Sequence, residues 1–339
     1  MNAYVLDGIK QLSYKNVKMP ECPENWAIVE VKAAGICSSD IPRIFKKGTY
    51  HFPTIPGHEF SGIVKSANNS QENDWIGQHV GVFPLIPCFR CEQCMMKYYE
   101  MCANYDYIGS RRDGGFAEYV AVPIWNLIKL SDSISFEDAA MLEPLSVALH
   151  AIKRARIQRG DKIGIIGTGM IGFAAAQWAM KYGASSVTII GRSNTKKDIA
   201  TKIGVEFQVI GEISSDFNVL VEAVGSNDSI DASINALKPF GRLVLMGNPE
   251  GDILFKQNTY WRILRKQLSI TGTWNSSYDN DGNDIKSDWN EARTALEKHQ
   301  IATGQLISHI FKQNDLPEAL NIMSQHREPY CKIMTTWNR

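Results

Sequence analysis

The chain has 339 residues, 44% of them hydrophobic, which is enough for two domains with a core each. Lysine plus arginine and aspartate plus glutamate number 36 apiece, so no net field draws the protein to nucleic acid or to an anionic membrane, and any anion preference must be local. The N-terminus lacks the basic start and apolar run of a signal peptide, and no stretch has the length of a membrane-spanning helix, so a cytoplasmic protein without nucleic-acid or membrane partners is expected.

From Met1 to about Ile128 the pattern is short and β-like, with turns at Gly, Pro and Asn. Residues 26–32 alternate as a half-buried strand, and 60–65, 79–85 and 116–122 read similarly. Within this region Cys88-x2-Cys91-x2-Cys94-x7-Cys102 gathers four of the seven cysteines into one loop. Four thiolates close the coordination shell of one tetrahedral ion, so this spacing predicts a structural zinc site rather than a disulfide framework. Cys37, His58 with Glu59, and Glu143 are scattered. Singly they read as a small buried hydrophobe, a core histidine and helix-face or turn carboxylates. Their neighbourhoods alter that reading: Pro56-Gly57-His58-Glu59 is a turn with a ligand and an acid side by side, and Glu143-Pro144 interrupts a helix. A cysteine, a histidine and a carboxylate make a catalytic zinc shell with one position open.

At Ser135 the signals change. Ser135-x-x-Asp138 resembles a capping box, and Ala139 to Leu142 and Leu145 to Ile152 make a broken helix. Lys162 to Ile166 is a buried-type strand followed at once by Gly167-x-Gly169-x-x-Gly172, an apolar helix ending at Gly183, and a β-branched run from Val187 to Ile190. Three glycines between strand and helix form the dinucleotide turn: Gly167 for the bend, Gly169 for close approach of a pyrophosphate, Gly172 for helix–strand packing, with Met170 and Ile171 opening the helix whose free N–H groups hold the anion. Six strand candidates, 162–166, 187–190, 205–209, 217–223, 242–246 and 268–273, predict a doubly wound parallel sheet. A polar linker, 275–284, then leads to an amphipathic helix at about 288–298. The tail is too small for its own core and is expected to return to the first domain, giving boundaries of 1–148, 149–277 and 278–339 with the nucleotide domain inserted and a cleft between the two.

The motifs A-G-I-C-S-S-D, P-G-H-E-F-S-G, the four-cysteine run, D-G-G-F-A-E-Y, L-E-P-L and G-x-G-x-x-G follow in this order over the whole chain. In that order they resemble the zinc-dependent medium-chain dehydrogenases, and S-S-D-I-P-R-I-F-K-K-G with Y-D-Y-I-G-S-R-R-D-G-G-F-A-E-Y is similar to their polyol branch. The resemblance implies a β-rich GroES-like catalytic domain, a Rossmann domain and a homodimer or homotetramer. It also implies an enzyme that interconverts a secondary alcohol of a sugar alcohol or its phosphate with the ketose form by hydride transfer. Cys37, His58 and Glu143 would hold the catalytic zinc, with Glu59 an exchangeable ligand or a supporting partner, and Ser39 would hydrogen-bond the reacting hydroxyl. Five positions after Cys37, where the alcohol-dehydrogenase branch often has a relaying histidine, stands Pro42, so the relay is water, Ser39 or another group. The rivals are a dehydrogenase of unphosphorylated polyols or alcohols and a nucleotide-binding relative without catalysis.

Arginine's planar fork suits phosphate oxygens, so Arg43, Arg111 and Arg112 are candidates for a substrate phosphate, with Trp274 and Asn275 as further substrate contacts. An NAD site carries an acid about 20 residues beyond the glycines. Here Gly191 stands in its place, followed by Arg192 and Ser193, with Lys196 and Lys197 one turn on. Without the acid's repulsion a 2′-phosphate is accepted, so NADP(H) is expected over NAD(H), together with two zinc ions per chain, one catalytic and one structural.

Overall fold

The computed structural model describes residues 1–69, 74–280 and 287–337, and the chain divides into two compact units, Met1–Glu143 with the segment from Ser277 onward, and Pro144–Ser276. In chain order the first unit has β1 (Asn2–Leu6), β2 (Leu12–Asn16), β3 (Trp26–Ile36), β4 (Glu59–Asn68), β5 (His79–Val82), β6 (Leu85–Ile86), β7 (Asp106–Tyr107), β8 (Tyr119–Pro123) and β9 (Leu127–Lys129). The second has β10 (Lys162–Ile166), β11 (Ser186–Gly191), β12 (Glu206–Val209), β13 (Phe217–Glu222), β14 (Leu237–Leu245) and β15 (Ser269–Gly272), and β16 (Ile307–Lys312) and β17 (Lys332–Thr336) belong again to the first.

The main sheet of the first unit has the order β16-β17-β3-β4-β5-β9, with β8 also on β3. β3 is its hub because it is long enough to take two partners on one edge: Trp26 to Glu30 pair with β8, and Ala33 to Ile36 pair with β17. Of the two register shifts of β3 against β4, the one between Val31 and Ala33 falls between those two pairings, where an irregularity of this kind bends a strand. Val29, Val31, Phe60, Val64, Val122 and Leu127 fill the core, and β17 with its flank adds Ile333 and Trp337, so the C-terminal tail shares this core. Residues 281–284 of the polar linker lie outside the described residues; beyond them Ser287 caps the helix Asp288–Glu297 by accepting from the Asn290 N–H.

The second unit is one sheet of order β12-β11-β10-β13-β14-β15, parallel throughout. That is the doubly wound order, with its switch point beside β10. Among the boundaries that differ from the sequence expectation, two have a local cause. Ser135 does cap the helix Phe136–Ala140, but the break falls at Met141, and Pro144 lies inside the first turn of the next helix, Leu142–Ala155. Proline is tolerated there because its missing N–H would have no partner in any case. β14 begins at Leu237 rather than at 242, because Phe240, in the left-handed region at φ 60°, and a register shift against Phe217 and Val219 place a kink inside the strand that reads as a turn. No helix among the described residues is long and apolar enough to cross a membrane.

Candidate active site

Gly35 of β3 faces Glu59 of β4 in the antiparallel register, so Cys37, just past the end of β3, comes beside His58, just before the start of β4. The Cys37 Sγ, a ring nitrogen of His58 and a carboxylate oxygen of Glu59 lie within 4.8 Å of one another. Asp40 braces the group from a fully buried position. Its Oδ2 accepts the Cys37 N–H at 3.0 Å, and its Oδ1 lies 3.4 Å from both His58 Nδ1 and Arg43 Nη1. Burial alone would raise the Asp40 carboxyl, but His58, Arg43 and the Cys37 amide outweigh it and hold it below its ordinary range. Burial likewise disfavours a charged His58, yet Asp40 and Cys37 carry it well above the usual histidine value. A ligand histidine must be neutral, so a metal entering here displaces that proton. Thiolate, imidazole and carboxylate at this separation are the donor set of a zinc ion, and the Asp40 carboxylate beside His58 Nδ1 is the kind of partner that orients a ligand imidazole, so the residues fit the metal.

Glu59 is also paired with Lys332, whose Nζ donates to its Oε2 and to the Ile36 carbonyl at 3.2 Å. With side chains 2% and 4% exposed, the two ions are out of water together. Burial opposes the Lys332 charge, but Glu59 and Cys37 outweigh it and keep the ammonium above its ordinary range. Lys332 arrives because Ile333 of β17 pairs with Ile36 of β3, and no local pattern in the sequence marks it. Asp40 lies in the C-S-S-D motif, where its position three residues after Cys37 was a readable signal.

Glu143 is not among the three residues whose donor atoms converge. Its Oε1 accepts from the Tyr107 hydroxyl at 3.4 Å, and burial, reinforced by Glu59, pushes its carboxyl up to about 7 against the pull of His58 and Lys332. The Tyr107 ring meets the His58 ring edge-on at 5.8 Å, and Tyr105 follows at 6.2 Å. Past Tyr105, the Arg111 guanidinium lies 4.3 Å from its ring and 4.2 Å from that of Tyr50. Arg112, by contrast, pairs with Asp106 and lies over the Trp26 ring. Near the metal ligands, Arg43 Nη1 donates to Ser39 Oγ at 2.9 Å, and Ser39 donates to Cys37 Sγ at 3.2 Å. Trp274 and Asn275 belong to the second unit; Trp274 is exposed and Asn275 has a left-handed backbone.

The four cysteine sulfurs also lie within 4.8 Å of one another. Backbone amides point at them: Arg90 and Cys91 toward Cys88, Ala103 and Cys94 toward Cys91, Cys88 and Asn104 toward Cys102. Amide donors stabilise thiolates, and those of Ala103 and Cys94 bring Cys91 down to about 6, whereas burial raises Cys94 and Cys102. Four sulfurs leave no open position, so this group suits a structural zinc. Tyr99, Tyr105 and Trp125 pack beneath it.

In the second unit, Gly167 takes φ 130° at the end of β10, and its carbonyl occupies the space where a side chain on Gly172 would lie. Nothing within 4 Å would meet a Cβ on Gly169, which caps the helix Met170–Lys181 and leaves the Met170 and Ile171 end open to an anion. Gly191 ends β11, and Arg192 and Ser193 are exposed just after it.

A doubly wound nucleotide fold and a metal centre of cysteine, histidine and glutamate on a β-rich unit occur together in zinc-dependent dehydrogenases. Residues 23–132 match the alcohol dehydrogenase GroES-like domain and residues 171–297 the zinc-binding dehydrogenase domain. Galactitol 1-phosphate 5-dehydrogenase of Escherichia coli K12 is 34% identical over 316 residues, 89% of this chain and 90% of that one. The crystal structure of galactitol-1-phosphate dehydrogenase from Escherichia coli has a TM-score of 0.91 at 31% identity, over 99% of this chain and 100% of that one. A zinc-binding dehydrogenase of Sinorhizobium meliloti 1021 bound to NADP has a TM-score of 0.88 at 25% identity, covering 99% and 98% of the two chains. RspB of Escherichia coli CFT073, complexed with NADH, has 0.89 at 24% identity, covering 99% of each. The chain belongs to the zinc-dependent medium-chain dehydrogenases, in their polyol branch. It is a nicotinamide-linked oxidoreductase of alcohols or polyols, as the motif order implied.

Proposed function

We propose that the protein interconverts the secondary alcohol of a polyol phosphate, such as galactitol 1-phosphate, with the corresponding ketose phosphate, using NADP(H) in preference to NAD(H) and two zinc ions per chain. The observation that supports a phosphorylated substrate is the row of rings from His58 through Tyr107 and Tyr105 to Arg111, with Arg43 beside Ser39 at its other end. It offers apolar faces and hydroxyls along a polyol chain and a guanidinium for its anionic terminus.

Cys37 and His58, with Glu59 or Glu143, would hold the catalytic zinc, and Cys88, Cys91, Cys94 and Cys102 the structural one. Bound zinc would supply a Lewis acid for the alcohol oxygen, and a bound nicotinamide would supply the hydride chemistry. The protein's own groups do the rest. Ser39 Oγ, next to Cys37, accepts the hydrogen bond of the reacting hydroxyl and relays its proton, releasing its own hydroxyl proton to water as it takes the new one. Arg43 donates to the Ser39 oxygen and fixes it in place, and the second lone pair of that oxygen stays open to the reacting hydroxyl. Asp40 orients His58, and Lys332 fixes the position of the Glu59 carboxylate. The turn Gly167 to Gly172 seats the pyrophosphate, and Arg192 and Ser193 meet a 2′-phosphate. A homodimer or homotetramer is also proposed. β15 ends its sheet, and Ile270 on it with Tyr260, Trp261 and Leu264 of the adjoining helix are exposed.

The test is a panel of sugar alcohols and their phosphates with both cofactors, alongside metal analysis and light scattering. The reading requires higher kcat/KM for galactitol 1-phosphate than for galactitol. Equal values would return the protein to unphosphorylated polyols, and no turnover on any alcohol would leave a nucleotide-binding protein without catalysis.

A further inference from the structure

The position at the end of β11 is chosen by packing as well as by charge. In an NAD site this is where an acid bridges the ribose hydroxyls. Here it is Gly191, which is buried. β12 runs parallel to β11 with Ile189 opposite Phe207, and the Phe207 ring reaches along the sheet to Gly191. A Cβ added to Gly191 would stand 2.8 Å from Phe207 Cζ, 2.8 Å from Thr168 Cγ2 and 3.2 Å from the Ser193 carbonyl oxygen. Carbon atoms in good contact are about 3.5–4.0 Å apart, so the space is filled from two sides.

The two neighbours differ: Phe207 meets the added Cβ with the tip of its ring, whereas Thr168 meets it with a methyl one bond from its own Cβ. Thr168 is β-branched and stiff at χ1, and it lies between Gly167 and Gly169 in the turn that seats the pyrophosphate. Its carbonyl accepts from Lys196 Nζ at 2.9 Å, which ties that turn to the segment after β11 and brings an ammonium to the same place. A side chain at 191 that pushed on Thr168 would therefore disturb the phosphate turn itself.

We propose that Phe207 and Thr168 act as a steric plug that keeps position 191 without a side chain, making them specificity-determining residues for the cofactor. The plug excludes the ribose-binding acid, and the ribose end of the site is left to the cations Arg192 and Lys196 and to a phosphate on the 2′ oxygen. The choice of ligand rests on the NADP(H) reading above; the steric claim does not. It follows that Gly191→Asp alone cannot convert the protein to NAD(H).

The experiment is calorimetric titration of the full chain with NADPH, NADH, adenosine 2′,5′-bisphosphate and 5′-AMP, with thermal melting to show that each variant is folded. The variants are Gly191→Asp, the triple Gly191→Asp/Thr168→Ser/Phe207→Ala, and the milder pair Gly191→Ala and Gly191→Ala/Phe207→Ala should the aspartate variants melt early. Wild type should bind the bisphosphate more tightly than AMP. Gly191→Asp should weaken both dinucleotides roughly tenfold or more, the effect of overpacking. The triple should recover NADH to within a few-fold of wild type or better while NADPH stays weak, because the acid now has room and repels the 2′-phosphate. In the milder pair, the alanine should weaken both ligands and Phe207→Ala should restore them. The plug is overturned if Gly191→Asp by itself binds NADH as tightly as wild type, or if relieving Phe207 and Thr168 restores nothing. A wild type that prefers NADH and AMP overturns the NADP(H) reading instead, and the single-against-triple comparison on NADH still decides the plug.

Discussion

The four-cysteine loop and the Cys37 centre both bring metal donors within 4.8 Å of one another, yet they are built in opposite ways. The loop takes every ligand from Cys88 to Cys102 and directs its own backbone amides at the sulfurs. The Cys37 centre gathers Cys37, His58, Glu59, Glu143 and Lys332 from three strand ends and a helix start, and its charges are balanced by other side chains. With an ion bound, a loop of that kind would depend on it for shape, whereas the centre, held by the sheet, would depend on it for chemistry.

Exchanging one ligand in each is the strongest way to break this contrast. Cys37→Ser should lower kcat/KM by about a hundredfold or more while the melting temperature stays within a few degrees of wild type. Cys91→Ser should do the reverse in emphasis: loss of one zinc by metal analysis and a fall in melting temperature of about 5 °C or more. If Cys37→Ser unfolds the protein and Cys91→Ser leaves it unmoved, the two roles have been assigned the wrong way round.

Smaller effects sharpen the picture. Lys332→Met leaves the buried Glu59 carboxylate without its ion partner, for an expected loss of ~3–5 kcal/mol in denaturant unfolding. The metal-free protein should show the larger drop, since zinc can itself neutralise Glu59. Asp40→Asn keeps the shape but removes the charge behind His58, and metal affinity in competition with a chelator should fall by about 10–100-fold. The smallest effect separates the loop's own sulfurs by pH. With zinc removed, alkylation read by mass spectrometry should find Cys91 reacting first as pH rises, with a midpoint of about 6, because its thiolate forms on deprotonation through that value. Cys94 and Cys102, raised by burial, should stay unreactive in the same range. Four cysteines with one common midpoint would mean that the amides do not discriminate among them.

How far the site could be read from the sequence follows the same contrast. The cysteine run and the glycine turn were legible because their ligands and bends lie in one short segment, where spacing alone constrains geometry. Cys37, His58 and Glu59 were legible through their motifs, but which carboxylate meets the other two donors was not, since Glu59 and Glu143 are distant in sequence and the outcome depends on a strand register. Among the three arginines, only side-chain contacts separate Arg112, which Asp106 and Trp26 engage, from Arg111 at the end of the tyrosine row.

The sequence by itself determined the alternation of strands and helices, the dinucleotide turn, the two sets of metal-type ligands and the absence of an acid after β11, because each is written in local periodicity or in spacing within a few residues. Only the tertiary structure decided that Lys332 pairs with Glu59, that Tyr107 holds Glu143, and that Phe207 and Thr168 fill the space beside Gly191. These contacts join residues from separate strands and loops, and their existence depends on how the sheets are registered and closed, which short-range pattern does not encode.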